Sequence, residues 1–345
     1  MVLRWLMSYI TSRSQQVAYC DQLSLTQSVQ FGVLQGSVLG PLLFVLYTVD
    51  LSRVVANHGL ILHQYADDCQ IYTNTPVDDG AAAIDQFFRC LDDVEAWMNS
   101  SRLRLNPAKT QVLWLGSKYQ LLKLNIQDVP VLSTSVRVVD SACDLGVVIE
   151  SGLTMSDHVT AVCRSAYYQL RQLRTIACSL SGDAKKMLIQ SFLSCWLDYC
   201  NALLYGISGG LIQRLQSVQN MAARLVTGAR RRDHITSVLR QLHWLPVKQR
   251  IDFKLTVMVY KSLHGFAPLY LSENCQLVTD VGRRYLRSSD VYRCTVPRTQ
   301  SQIGNRSFMA AGPWLWNSLP IEIRWKDITF EHYGRLLKAY HDFFA

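Results

Sequence analysis

The rhythm of apolar and polar positions changes several times along this chain. Met1 to Ile10 is apolar and aromatic and predicts a helix. Val17 to Val33, "VAYCDQLSLTQSVQFGV", alternates loosely and predicts a strand hairpin. Gly36 and Ser37 open the next stretch, "GSVLGPLLFVLYTVDL". Its apolar stripe through Leu42, Leu43, Leu46 and Val49 predicts a buried helix with a glycine-rich mouth. Leu60 to Tyr72 reads as two short strands around Ala66-Asp67-Asp68. From Asp79 to Met98, Ile84, Phe87, Phe88, Leu91, Val94 and Met98 recur at three and four, the spacing of an amphipathic helix. "RLRLNPAKTQVLWLGS" alternates again and predicts a strand broken by an Asn106-Pro107 turn. Leu122 to Ile149 predicts a small β segment with a turn over Gln127 to Pro130.

Past Ser156 the spacing becomes helical. Helices are expected over 157–177, 183–197, 212–227, 234–242 and 247–264, the last closed by Gly265. A less regular tail follows, rich in arginine and aromatics, and a final amphipathic helix is expected over 329–344. Within the tail, "GPWLWNSLP" at 312–320 reads as a turn packed onto a core, with a binding surface as the alternative. The pattern predicts an α+β unit over 1–118, a β connector over 119–155, a helical unit over 156–265 and a tail over 266–345. No internal repeat interrupts this order.

Composition narrows the class. The 345 residues are 49% hydrophobic and 18% charged, which fits two or three globular domains. No apolar run reaches the ~20 residues that span a bilayer. The best candidate, Val38 to Leu51, is broken by Gly40, Pro41 and Asp50. The start lacks the small-residue cleavage site of a signal peptide, so an intracellular location, cytoplasmic and nuclear, is expected, with no membrane partner. The ten cysteines contain no CxxC, and no Cys/His cluster has zinc-knuckle spacing, which points to reduced thiols. The charge is uneven. Residues 1–150 carry 10 Lys and Arg against 14 Asp and Glu, and residues 151–345 carry 25 against 12. An acidic half beside a +13 half suits a metal on one part and a polyanion on the other; solvated arginine faces explain it equally well.

The candidate chemistry lies in "HQYADDCQIY", residues 63–72. Adjacent carboxylates inside an apolar, strand-forming stretch repel each other, and burying them costs several kcal/mol per ion without a compensating cation. Held at a hairpin tip, such hard oxygen donors favour Mg²⁺ or Mn²⁺, with phosphates and water completing the shell. Two such ions about 3.5–4 Å apart stabilise the attacking and leaving oxygens of phosphoryl transfer. Tyr65 would line the nucleic-acid side, and the small Ala66 lets substrate approach.

Taken together, "GVLQGSVLGPLLFVLYTVDL" and "HQYADDCQIY" resemble the reverse-transcriptase palm of non-LTR, LINE-type retrotransposons of the jockey/CR1-like kind. "WMNSSRLRLNPAKTQVLWLGS" resembles the next two palm motifs, and later blocks such as "LDYCNALLYG", "LHWLPVKQRIDFK" and "WNSLP" resemble the C-terminal region of such open reading frames. The resemblance implies a partial polymerase palm, with a mixed or antiparallel sheet and helices, followed by a β connector and a thumb-like helical region. It implies RNA-directed DNA synthesis with Mg or Mn, an RNA template, a DNA primer and dNTPs. By residue, Asp67 resembles the metal-binding palm carboxylate, with Asp68 its neighbour. Gln35, Gly36 and Ser37 resemble the loop that contacts template and nucleotide. Lys109 resembles the lysine near the triphosphate, and Leu115 and Gly116 the primer-grip turn.

The pattern also departs from the family. Its third carboxylate lies on a strand upstream of the Gln-Gly-Ser block, and of the earlier acids here neither Asp21 nor Asp50 matches it. Leu34 stands where proline is usual. The expectation is an N-terminally truncated polymerase, lacking the first catalytic strand, the fingers and the endonuclease, and inactive alone. The alternative is a non-catalytic nucleic-acid-binding remnant that uses Arg230-Arg231-Arg232, Arg283-Arg284 and Arg287, with Trp244, Tyr285 and Tyr292 nearby.

Overall fold

A computed structural model describes residues 2–33, 36–124, 126–132, 134–279 and 292–343. The chain is an α+β protein, divided into one unit over 1–112 and 122–138 and another over 113–121 and 139–345.

The first unit opens with helix α1 (Val2–Ile10). Two nested antiparallel pairs follow, β1 (Arg13–Gln15) with β4 (Gln27–Val29) and β2 (Ala18–Tyr19) with β3 (Gln22–Leu23). Their tip, Cys20-Asp21, has φ of +47° and +60°, so the hairpin expected over 17–33 forms around a tight turn. Next come α2 (Gly40–Tyr47), α3 (Leu51–Ala56), the hairpin β5 (Ile61–Tyr65) and β6 (Asp68–Tyr72), and the long helix α4 (Gly80–Ser100). The core of this unit is Leu51, Val55, Leu60, Cys90 and Val94, flanked by Leu62, Ile71, Phe87 and Trp97. The 3.6-residue stripe of α4 thus packs on α3 and on one face of the hairpin.

Four expectations fail along this stretch of the chain. The segment 38–51 is not buried: Gly40, Thr48 and Leu51 are, but Leu42, Val45, Leu46, Tyr47 and Val49 are all exposed. Its helix begins at Gly40 with Pro41 in the first turn, so Gly36 and Ser37 precede the helix and do not cap it. The alternation of 102–117 yields no strand. Arg102, at φ +53°, ends α4, with Leu103 N–H donating to Met98 O. The Asn106 side chain and carbonyl then take the N–H groups of Ala108, Lys109 and Thr110, and Val112 makes a single bridge to Val138. Lastly, Gln127–Pro130 is not a turn. Pro130 lies in β7 (Asp128–Val131), which pairs with β8 (Thr134–Arg137), and a two-stranded ladder leaves proline an open edge.

The second unit holds α5 (Lys118–Leu121) and the hairpin β9 (Ser141–Asp144) with β10 (Val147–Glu150), turned on Leu145-Gly146 at φ +44° and +82°. The helices follow the predicted spacing: α6 (Ser156–Ile176), α7 (Gly182–Leu197), α8 (Gly209–Thr227), α9 (Ile235–Leu242) and α10 (Val247–Leu263). Glu150 caps α6, accepting from Ser156 N–H at 3.3 Å and Asp157 N–H at 3.1 Å. Gly265, at φ +72°, closes α10, and Phe266 N–H donates to Lys261 O at 2.8 Å. After α11 (Leu269–Ser272) and α12 (Gln302–Arg306), the tryptophan block forms a helix, α13 (Phe308–Ser318), with Pro313 inside it, and α14 (Phe330–Phe343) follows. Trp316 is fully buried while Trp314 is exposed, so only one tryptophan packs, and from a helix instead of a turn. Val159, Val162, Leu170, Leu215, Val218 and Ile251 belong to one core, and Val259, Tyr260, Trp316, Tyr333 and Leu337 to a second.

Asp252, on α10, carries a pH signature. Burial pushes its carboxyl up to about 6, partly offset by Lys248. In the unfolded chain a carboxyl of this kind titrates near about 3.9. The folded state therefore holds an extra proton between those values. The stability this provides is present below about pH 4 and lost as pH rises through about 6. Asp252→Asn is expected to flatten that dependence and to exceed the parent by about 1–3 kcal/mol near pH 8. Urea transitions measured below and above this window check it.

Candidate nucleotidyl-transfer site

Side-chain alternation decides where the acids stand. In the β5–β6 register Leu62 faces Ile71 and Gln64 faces Cys69, with Leu62 and Ile71 on the core. Tyr65 pairs with Asp68 and His63 with Gln70, on the opposite face. Ala66 and Asp67 form the two-residue loop, and Ala66 sits at φ +54°. Tyr65 through Cys69 are all exposed. The carboxylates are therefore not buried, and the burial cost expected from the apolar sequence does not arise. In water their repulsion amounts to about 1 kcal/mol at contact range. Neither accepts a hydrogen bond or forms an ion pair among the described residues. Their field is felt next door: although Cys69 is exposed as a residue, partial desolvation of its sulfur raises the thiol, and Asp68 and then Asp67 raise it further.

The tip is held from below by two residues that sequence reasoning missed. Gln64 Nε2 donates to Thr48 Oγ1 at 2.9 Å and to Ala66 O at 2.9 Å. Thr48, buried at the end of α2, itself donates to Phe44 O. One amide thus ties the turn that carries Asp67 to the end of α2. A Gln and a Thr 16 residues apart leave no periodic signal, which is why the pair was illegible. Gln64→Leu keeps the volume and removes both bonds, at an expected cost of about 1–2 kcal/mol. The check is hydrogen exchange at the Tyr65 and Asp68 amides, which should speed by about tenfold.

The other expected site residues are dispersed. Gly36 is exposed at φ +82°, and Ser37 is half-buried with its hydroxyl unpartnered. Gln35 and Leu34 lie outside the described residues, as do Arg283, Arg284, Tyr285 and Arg287. Lys109 is exposed on the Asn106 turn and makes no ion pair with Asp67 or Asp68. Leu115 and Gly116 belong to the second unit, where Gly116 N–H donates to Ser151 O at 3.0 Å.

As a metal site, the tip offers two adjacent carboxylates in solvent, a donor set that suits Mg²⁺ held jointly with phosphate oxygens. Among the described residues no group of three or more His, Cys, Asp or Glu side chains gathers to hold an ion by protein ligands alone. No described helix is long and apolar enough to cross a membrane.

A hairpin tip of paired acids resembles the palm of a template-directed polymerase. Comparison with known proteins supports that class. Residues 3–138 match the family described as reverse transcriptase (RNA-dependent DNA polymerase). Over 261 residues the chain is 27% identical to the probable RNA-directed DNA polymerase from transposon BS of Drosophila melanogaster, covering 72% of this chain and 28% of that protein. Over 232 residues it is 30% identical to the probable RNA-directed DNA polymerase from transposon X-element of the same fly, covering 65% and 24%. The RNA-directed DNA polymerase from mobile element jockey of Drosophila funebris is 24% identical over 219 residues, 60% of this chain and 23% of that protein. No solved structure matches. The chain carries a reverse-transcriptase domain, and it is a relative of the LINE-type, non-LTR transposon polymerases. It spans about a quarter of the length of those relatives.

Proposed function

We propose that residues 1–118 act as part of the palm of an RNA-directed DNA polymerase, with Asp67 and Asp68 as its metal ligands. The observation that carries this is the β5–β6 tip: two unpaired carboxylates at a turn fixed by Gln64, in a segment that matches reverse transcriptases. In this reading Asp67 and Asp68 hold Mg²⁺ or Mn²⁺ through carboxylate oxygens, and the ion, when bound, neutralises triphosphate charge. Tyr65 offers a ring to the nucleic acid. Gln35, Gly36 and Ser37 contact template and incoming dNTP, Lys109 faces the leaving pyrophosphate, and Leu115 and Gly116 guide the primer. The β connector over 119–155 and the thumb-like helices over 156–265 follow the palm, and the tail is 266–345.

Two carboxylates suffice for one ion shared with phosphates, but two ions need a bridging acid that the described residues do not bring to the tip. We therefore propose that this chain does not polymerise alone. Primer extension on a poly(rA) template with oligo(dT), dTTP and Mg²⁺ or Mn²⁺ tests this. No incorporation above background is expected. Incorporation that Asp67→Asn abolishes would overturn the inactivity and keep the palm assignment. Incorporation untouched by Asp67→Asn would overturn the assignment itself.

A further inference from the structure

Helices α6 and α8 pack side by side in the second unit, and their sequences are lopsided in charge. α6 carries Arg164, Arg171 and Arg174 with a single acid, Asp157, and α8 carries Arg214 and Arg224 with none. Between them opens a cleft of about 320 Å³, lined by Thr160, Cys163, Arg164, Tyr167, Arg214 and Ser217. No lining residue is acidic. Arg214 reaches across to donate to Thr160 Oγ1 at 3.1 Å, which sets its guanidinium over the cleft. Arg164 and Arg214 are exposed, and among the described residues neither pairs with a carboxylate. Burial raises the Tyr167 phenol and the Cys163 thiol, although Arg214 pulls each partly back, so the phenol stays protonated near neutral pH. The cleft therefore presents two guanidinium charges, that of Arg214 held by Thr160, beside the protonated Tyr167 phenol, the chemistry of a phosphate site.

The solvent face of α6 extends this. Arg164, Tyr168 and Arg171 recur at four and three along one stripe, and Tyr168 is 55% exposed. The two arginines stand about 10 Å apart along the axis, with an aromatic ring between them. Cations alternating with an exposed ring form a backbone-tracking, base-stacking platform, whereas a duplex would hide the base faces that the ring needs. We propose that the α6–α8 face binds single-stranded nucleic acid, a phosphodiester in the Arg164–Arg214 cleft and a base against Tyr168. This site lies apart from the arginine triplet at 230–232, and it stands whether or not the hairpin tip binds metal.

The test is fluorescence anisotropy of the full chain with a labelled oligouridylate of about 20 nucleotides, at about 50–300 mM KCl. EDTA is included so that metal at the β5–β6 tip contributes nothing. Arg164→Ala with Arg214→Ala should weaken binding about tenfold or more and lower the log–log salt slope by about 1–2. Tyr168→Ala should weaken binding about fivefold or more with the slope unchanged, because stacking releases no counterions. Lys185→Ala with Lys186→Ala, on α7, should change little. Far-UV circular dichroism confirms that these surface variants fold. The proposal is overturned if the parent fails to bind at the lowest salt, if the double arginine variant binds within about twofold of the parent, or if the α7 variant loses as much.

Discussion

Trp316→Ala is expected to cost about 3–5 kcal/mol, the largest loss from any single truncation in the second core. Trp316 is fully buried on α13. Its ring meets Tyr333 at 5.9 Å and Tyr292 at 6.4 Å between centroids, and its indole N–H donates to Tyr292 O at 3.0 Å. The next residue, Asn317, both donates to Cys294 O at 2.8 Å and accepts from Cys294 N–H at 2.9 Å. Removing the indole opens a cavity beside Tyr333 in this core and removes its hydrogen bond to the Tyr292 carbonyl. Hydrogen exchange of the α10 amides from Val259 onward reads the effect, and protection there should fall by two orders of magnitude or more. Trp316→Phe keeps most of the apolar volume and should lose less than half as much. Equal losses from both variants would show that the hydrogen bond, not the packing, dominates.

The same region shows what periodicity can and cannot reveal. The helices α6 to α10 were legible because each buries one stripe, and Gly265 marked a true stop. The tryptophan block reads as a turn in the sequence because Pro313 and Pro320 bracket it. Pro313 sits well inside the 11-residue helix α13, where packing of Trp316 and Leu315 outweighs its penalty. The hairpin was legible from two apolar runs around Ala66-Asp67-Asp68, although Asp68 proves to be the first residue of β6 and not part of the turn. Its surroundings were not. Alternation over 102–117 looks like a strand, but a strand needs a neighbour, and Asn106 offers the backbone a local alternative. The stripe of α2 predicts burial, yet burial depends on what lies opposite, which no local pattern encodes. The roles expected for Lys109 and for Leu115-Gly116 came from resemblance alone. The first makes no ion pair with the carboxylates, and the second falls in the other unit.

The second large effect concerns the tip itself. Asp67→Asn with Asp68→Asn should reduce divalent-ion affinity by about tenfold or more, because the substitutions keep size and polarity and remove both charges. The fold should be indifferent, since neither side chain is buried or paired among the described residues. Removing their mutual repulsion should, if anything, stabilise the hairpin by about 0.5–1 kcal/mol. A structural carboxylate would behave in the opposite way, losing stability and leaving ion affinity alone. Under the proposed assignment, in which one ion is shared by both acids, each single variant should lose part of the affinity. Added pyrophosphate should tighten the parent's binding by supplying the missing oxygen ligands, and should do so far less in the double variant.

The most direct measurement is therefore a Mn²⁺ titration followed by water-proton relaxation, on the parent and on the Asp67→Asn/Asp68→Asn double variant, each with and without pyrophosphate. The expected result is a parent site that pyrophosphate strengthens and the double variant abolishes. Equal Mn²⁺ affinity in the two proteins, with pyrophosphate present, would contradict it.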